Sequence, residues 1–229
     1  MGNDGCIPLR GLAWACCLIP LLAVHGSYAI SAGQGLVPIC LPYLEGCTSI
    51  SRAARSGDAI HLFRPLMLGH VALLLAFWWG CRLWLHRLRA SPRVASSIQL
   101  SGSISALFLA LYVTYLGENG EQARWLRRYG INLYFSLSVL AQMLLTWQLQ
   151  RHRSATSTRW QRLLIGLCGG MLLLGLASLP LQFLVADRGA LLNSIEWSFA
   201  LMMVSVFGVV GQLWSADRLQ LQFLARPGR

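Results

Sequence analysis

Six apolar runs, at 11–32, 66–85, 98–116, 131–149, 163–185 and 191–214, constrain this chain more than any other feature. A helix rises 1.5 Å per residue, so twenty residues reach about 30 Å, the thickness of a bilayer's hydrocarbon core. Inside that layer a lone segment must satisfy its own backbone N–H and C=O groups, which only a helix does. The expected fold class is therefore all-α: a polytopic integral membrane protein, one domain over 1–229, a bundle of six transmembrane helices with an outer loop at 33–65. Composition agrees. Only 12% of the 229 residues are charged and 55% are hydrophobic, whereas soluble domains carry about 25% charged residues.

The first run contains Ser27-Tyr28-Ala29, which loosely resembles a signal-peptidase site, so a cleaved signal peptide competes with a retained helix. The apolar run continues past that point and Pro20 interrupts it early, which favours the retained helix. Cys16 is not a lipoprotein cysteine, because bulky Trp14 stands where a small residue is needed. In the second run, Pro65 suits a first helical turn and Arg82 a snorkelling position. Ser97, Ser101 and Ser105 line one face of the third run, and Gly166 and Gly170 make a GxxxG step in the fifth; both let another helix approach closely. Pro180 marks a kink. Tyr112, Tyr115 and most of the nine tryptophans read as interface anchors.

All 19 basic residues are Arg, and the net charge is +11. A nucleic-acid surface is excluded, because the arginines sit in short loops between apolar runs. Placing both termini in the cytoplasm puts 12 Arg and two acids on the inner side, against seven Arg and six acids outside. That bias sits in short loops, where the positive-inside rule holds best. Loops one, three and five then face out. The all-Arg composition points to a bacterium, hence to the inner membrane.

On the outer side lies the one dense polar stretch, 47–70. It brings Ser49, Ser51, Asp58, His61, Arg64 and His70 near the start of the sixth helix, which carries Glu196-Trp197. These eight residues form the candidate polar pocket, with Arg64 or His70 as the expected partner of Glu196, since an intramembrane ionisable group needs one. Each also has a plain structural reading. His61 and Arg64 suit a headgroup-facing pair, His70 a packing residue, Glu196 a structural ion pair. Arg52 and Arg55 read as solvated loop charges. Cys40 and Cys47 share the loop and are either a disulfide, if it faces an oxidising compartment, or two free thiols. There is no GxSxG, HExxH, paired acidic motif or phosphate loop. No metal and no cofactor are expected.

Ser49-Ile50-Ser51, then Ala53-Ala54, Gly57 and Ile60-His61-Leu62-Phe63-Arg64 at the head of the next helix, resembles the eukaryotic post-GPI-attachment lipid-remodelling proteins and their DRAM and Sfk-like relatives. That family has a Pro-Ser-Ile-Ser-like motif in its first lumenal loop and a Glu-Trp pair in its last helix, which Glu196-Trp197 matches. Thr48 stands where the family has Pro, and Arg52 where a small residue is usual. The resemblance implies handling or remodelling of membrane lipids.

The function expected is that of a membrane protein interacting with lipids at the outer leaflet, as a remodelling enzyme or its accessory. Membrane lipids are the expected partners. The alternative is a structural subunit that binds a protein partner through the small-residue helix faces. A small transporter ranks third, since there is no inverted repeat or pair of broken helices.

Overall fold

The computed structural model describes residues 6–152 and 158–222. Asp4, Arg153, Arg226 and Arg229 of the charge distribution lie outside the described residues. The elements run β1 (Cys6–Pro8), α1 (Arg10–Gly33), α2 (Pro42–Glu45), α3 (Ile50–Arg55), α4 (Ala59–Arg87), α5 (Pro92–Tyr115), α6 (Glu121–His152), α7 (Thr158–Leu184), α8 (Arg188–Ala216) and β2 (Gln220–Gln222). The class is all-α, and six of the helices are long and apolar enough to cross a membrane.

The long helices overrun the apolar runs. α4 begins at Ala59 rather than 66, and α6 at Glu121 rather than 131. Apolar runs mark only the part of a helix that must avoid water. Beyond it, polar residues extend the same hydrogen-bonded ladder into the headgroup region. The expected loop 33–65 thus shrinks to 34–58, and Pro65 stands inside α4 rather than in its first turn. The polar stretch 117–130, which in sequence reads as a loop with a short surface helix in its second half, shrinks to a tight turn, with Gly117 and Gly120 at φ 88° and 104°. Pro92 opens α5 at the position where a missing N–H costs nothing. Asp187 caps α8 by accepting from the Ala190 N–H at 2.9 Å.

Each long helix packs chiefly on its chain neighbours, and α8 returns against α1, closing a ring. The α6–α7 seam is the sparsest in that ring. The centre is aromatic, with Phe77 and Trp78 of α4 against Phe207 and Trp214 of α8 at ring separations of 4.9–6.3 Å. Trp78, Trp84, Trp197 and Trp214 are fully buried, so these four are core residues and not interface anchors. Trp84 donates from Nε1 to Asp217 at 2.9 Å. Small residues make room. A Cβ on Gly102 would lie 2.2 Å from the Trp78 ring, and one on Gly130 would lie 3.0 Å from the backbone of Tyr112.

The serine face of α5 packs on α6 of the same chain: Ser101 donates to the Leu137 carbonyl at 3.1 Å, and Ser138 donates to Ser105 at 3.0 Å. Gly170 approaches Met202 of α8, whereas Gly166 faces open space. β1 and β2 form an antiparallel pair, Cys6 opposite Gln222. This terminal face lies opposite the loop face, which carries 34–58 and the α5–α6 and α7–α8 turns.

Candidate functional site

The loop face is organised by α8. Pro42 starts α2, Glu45 accepts from the Leu41 N–H at 2.7 Å, and Gly46 closes the turn at φ 60°. Cys40 and Cys47 form a disulfide across this turn. The Tyr28 hydroxyl fastens it to α1, donating to the Cys40 carbonyl at 2.8 Å and accepting from the Cys40 N–H at 2.9 Å. Three side chains one or two turns into α8 then grip the segment that follows. Asn193 donates to the Gly46 carbonyl at 2.7 Å, and Trp197 Nε1 donates to the Thr48 carbonyl at 2.9 Å. The Glu196 carboxylate accepts from the backbone N–H groups of Ile50 and Ser51.

This accounts for the open donors at the start of α3. A helix leaves its first N–H groups without internal partners. Glu196 takes those of Ile50 and Ser51, and the Ser49 hydroxyl takes that of Arg52 at 3.2 Å. The Ser51 hydroxyl lies 3.3 Å from that of Ser49 and hydrogen-bonds Tyr112 of α5. Ser49-Ile50-Ser51 and Glu196-Trp197 therefore meet.

Of the eight residues expected in one pocket, four come together: Ser49, Ser51, Glu196 and Trp197. The other four do not join them. Arg64 donates to the Leu116 carbonyl at 2.6 Å and pairs with Glu118 at 3.3 Å, half-exposed. His70 is fully buried against Phe207, its ring nitrogens without hydrogen-bond partners among the described residues. Asp58 is exposed and accepts from Gln34 at 2.6 Å. His61 is exposed on the outside of α4. The expected Glu196 partner, Arg64 or His70, is thus corrected: backbone N–H groups on α3 fill that role. Helical phase explains the error, since depth in the membrane fixes a residue's level but not its direction.

Around Trp197 sits an aromatic group the sequence did not announce. His25, Tyr28 and Tyr43 stand 5.5–5.8 Å from it, ring to ring. His25 Nδ1 lies 2.8 Å from the Leu21 carbonyl, which only accepts, so Nδ1 carries the proton. Nε2 lies 2.8 Å from the Tyr43 hydroxyl, accepting from it in the neutral ring. Burial pushes the Tyr43 phenol above its ordinary range, which keeps that donor protonated.

Beside this junction opens a cleft of about 550 Å³ between the first half of α6, the second half of α7 and α8. Its rim holds Arg55, Arg124, Arg127 and Arg128; its deeper wall holds Ile131, Phe135, Ile195 and Phe199. Ser51, Tyr112 and Glu196 also line it. Arg55 is therefore more than the solvated loop charge expected of it. Glu196 and Tyr112 also line a smaller apolar pocket of about 60 Å³. In sequence, 117–130 reads as a polar loop whose second half suits a short surface helix, not as the start of a spanning one. Read as helix, 124, 127 and 128 fall on one face, which is the signal that was there to find.

No family model, curated protein or solved structure matches the chain. Fold and composition define a multi-pass membrane protein of six helices.

Proposed function

We propose that this protein binds membrane lipid in the outer leaflet of a bacterial inner membrane, with both termini cytoplasmic, and presents it as an accessory to lipid handling. The observation that carries this reading is the cleft, cationic at the headgroup level and apolar below. Phe135 lies fourteen residues into α6, about 21 Å along it, and Phe199 eleven into α8, about 16 Å. With the first turns of each helix at the headgroups, the cleft reaches roughly one leaflet down, half of the ~30 Å hydrocarbon core. The sparse α6–α7 seam gives a lipid a sideways entry.

The orientation rests on charge and redox chemistry. The arginine excess belongs to the terminal face, and a disulfide on the loop face suits an oxidising compartment. Binding is favoured over catalysis by the hydroxyls. Ser49 caps a helix and Ser51 bonds Tyr112, and neither has a histidine or free carboxylate as base among the described residues. The family resemblance adds the lipid theme.

Gly175 lines the cleft from α7, and a Cβ there meets nothing within 4 Å. Gly175→Phe therefore fills the cleft without disturbing the fold. Native mass spectrometry of the detergent-purified protein should show retained lipid for wild type and loss of it for Gly175→Phe. Equal retention by both would remove the cleft as the lipid site.

A further inference from the structure

Resting on the reading of the cleft as a lipid site, the geometry points to a narrower ligand class: we propose that the rim selects lipids whose headgroup carries a phosphate monoester or diphosphate, with two or more negative charges. The loop face has seven arginines, Arg52, Arg55, Arg64, Arg124, Arg127, Arg128 and Arg188, and four of them line this one cleft. The only acid among its lining residues is Glu196, and its carboxylate is turned to the α3 backbone. The rim thus holds an excess of three positive charges, four arginines against one carboxylate.

The arginines are also placed against local electrostatics. Arg124 stands in the first turn of α6, the positive end of the helix dipole, where a cation is disfavoured, and Arg127 and Arg128 follow one turn on. No ion pair among the described residues compensates them. Glu118 pairs with Arg64, and Glu121, on the same helix end, makes no ion pair among the described residues. Within the same limits, the guanidinium groups of Arg55, Arg124 and Arg128 have neither a hydrogen bond nor an ion pair. Arg127 differs, since it donates to the Tyr115 carbonyl at 3.2 Å and the Glu118 carbonyl at 2.5 Å. It is held in place, and the other three are free to fold onto an anion.

Solvated arginines at a helix start are common, and their stems snorkel along apolar surface. Here, though, they converge from two elements, α3 and α6, on a cavity whose opposite wall is apolar. Guanidinium forks bind phosphate oxygens in pairs, and three of them suit an anion with several free oxygens. A phosphodiester offers one charge, and a zwitterionic headgroup brings an ammonium that the rim repels. The Ser51 and Tyr112 hydroxyls, on residues that also line the cleft, suit a glycerol or ester oxygen beneath the phosphate.

The test uses the full-length protein in phosphatidylcholine nanodiscs doped with phosphatidate or, at equal mole fraction, phosphatidylglycerol. The lipid retained by the protein on extraction is read by native mass spectrometry. Wild type should retain phosphatidate about tenfold over phosphatidylglycerol, the size of one added charge-assisted contact. The preference should vanish in Arg124→Gln/Arg128→Gln, weaken in Arg55→Gln and persist in Arg52→Gln, whose side chain is exposed outside the cleft. It should also shrink below pH 6, because a phosphate monoester loses its second charge near a pKa of about 6.

Retention without a headgroup preference would overturn this inference and leave lipid binding standing. A preference surviving in Arg124→Gln/Arg128→Gln, or in Gly175→Phe, would place the selecting group elsewhere and overturn it too. Inorganic pyrophosphate binding as tightly as phosphatidate would overturn the lipid assignment and make a soluble anion the ligand. No retained lipid of any kind would end both readings.

Discussion

At the scale of single residues, the two side chains that matter most are adjacent and do different work. Trp197 fills space and donates one hydrogen bond; Glu196 supplies a charge to two backbone donors. Trp197→Phe keeps most of the ring's burial but strands the Thr48 carbonyl. A buried polar group left without its partner costs about 1–3 kcal/mol, so unfolding in detergent should show a loss of that size. Glu196→Gln keeps the shape and removes the charge, and charge-assisted bonds are roughly twice as strong as neutral ones. Its loss should be smaller than that of Glu196→Ala, which leaves both α3 donors open. If Glu196→Ala is as stable as wild type, the carboxylate does not hold α3.

At the scale of elements, the loop face depends on a turn that only glycine can make at one point. Gly46 sits at φ 60°, and a Cβ there would fall 1.8 Å from the Ala190 carbonyl oxygen and 2.7 Å from the Ser194 hydroxyl. The α8 backbone cannot yield, so Gly46→Ala must lift α2 away from α8. Gly35 has φ 70° and open space around it, so Gly35→Ala carries only the left-handed strain of about 1–2 kcal/mol. Limited trypsin digestion separates the two. Gly46→Ala should speed cutting after Arg52 and Arg55 severalfold, while Gly35→Ala stays close to wild type. The Cys40–Cys47 disulfide, with a sequence separation of 7, adds about 2–3 kcal/mol to the same turn in the chain-entropy account.

At the scale of the whole molecule, the ring of six helices has a tight side and a loose side. α1, α4 and α8 meet over the aromatic core, while α6 and α7 touch sparsely and leave the cleft between them. The orientation proposed for this ring makes a simple prediction. Cys16, Cys17, Cys81 and Cys168 are all buried, so in a Cys6→Ser background one added surface cysteine is readable by itself. In intact cells, Asn119→Cys on the loop face should react with a membrane-impermeant maleimide. Ser91→Cys on the terminal face should react only after the cells are opened. The reverse pattern would invert the topology and move the cleft to the inner leaflet.

Much of this was legible in sequence. Six apolar runs of spanning length determine six helices, because a bilayer core lets the backbone satisfy itself in no simpler way. The crowding of Ser, Arg and Glu-Trp marked the loop face and the head of α8 as belonging together. What the sequence left open was direction. Depth along a helix follows from residue count, which puts Arg64, His70 and Glu196 near one end of the bundle. Which way each points depends on helical phase and on what packs behind it. Tertiary structure turned Arg64 to the Leu116 carbonyl, His70 into the aromatic core and Glu196 to the start of α3. It also turned Trp78 and Trp214 inward, although tryptophan in a membrane protein more often marks an interface. The arginine rim came from the same source, because four residues on α3 and α6 share a cleft only once α7 and α8 close behind them.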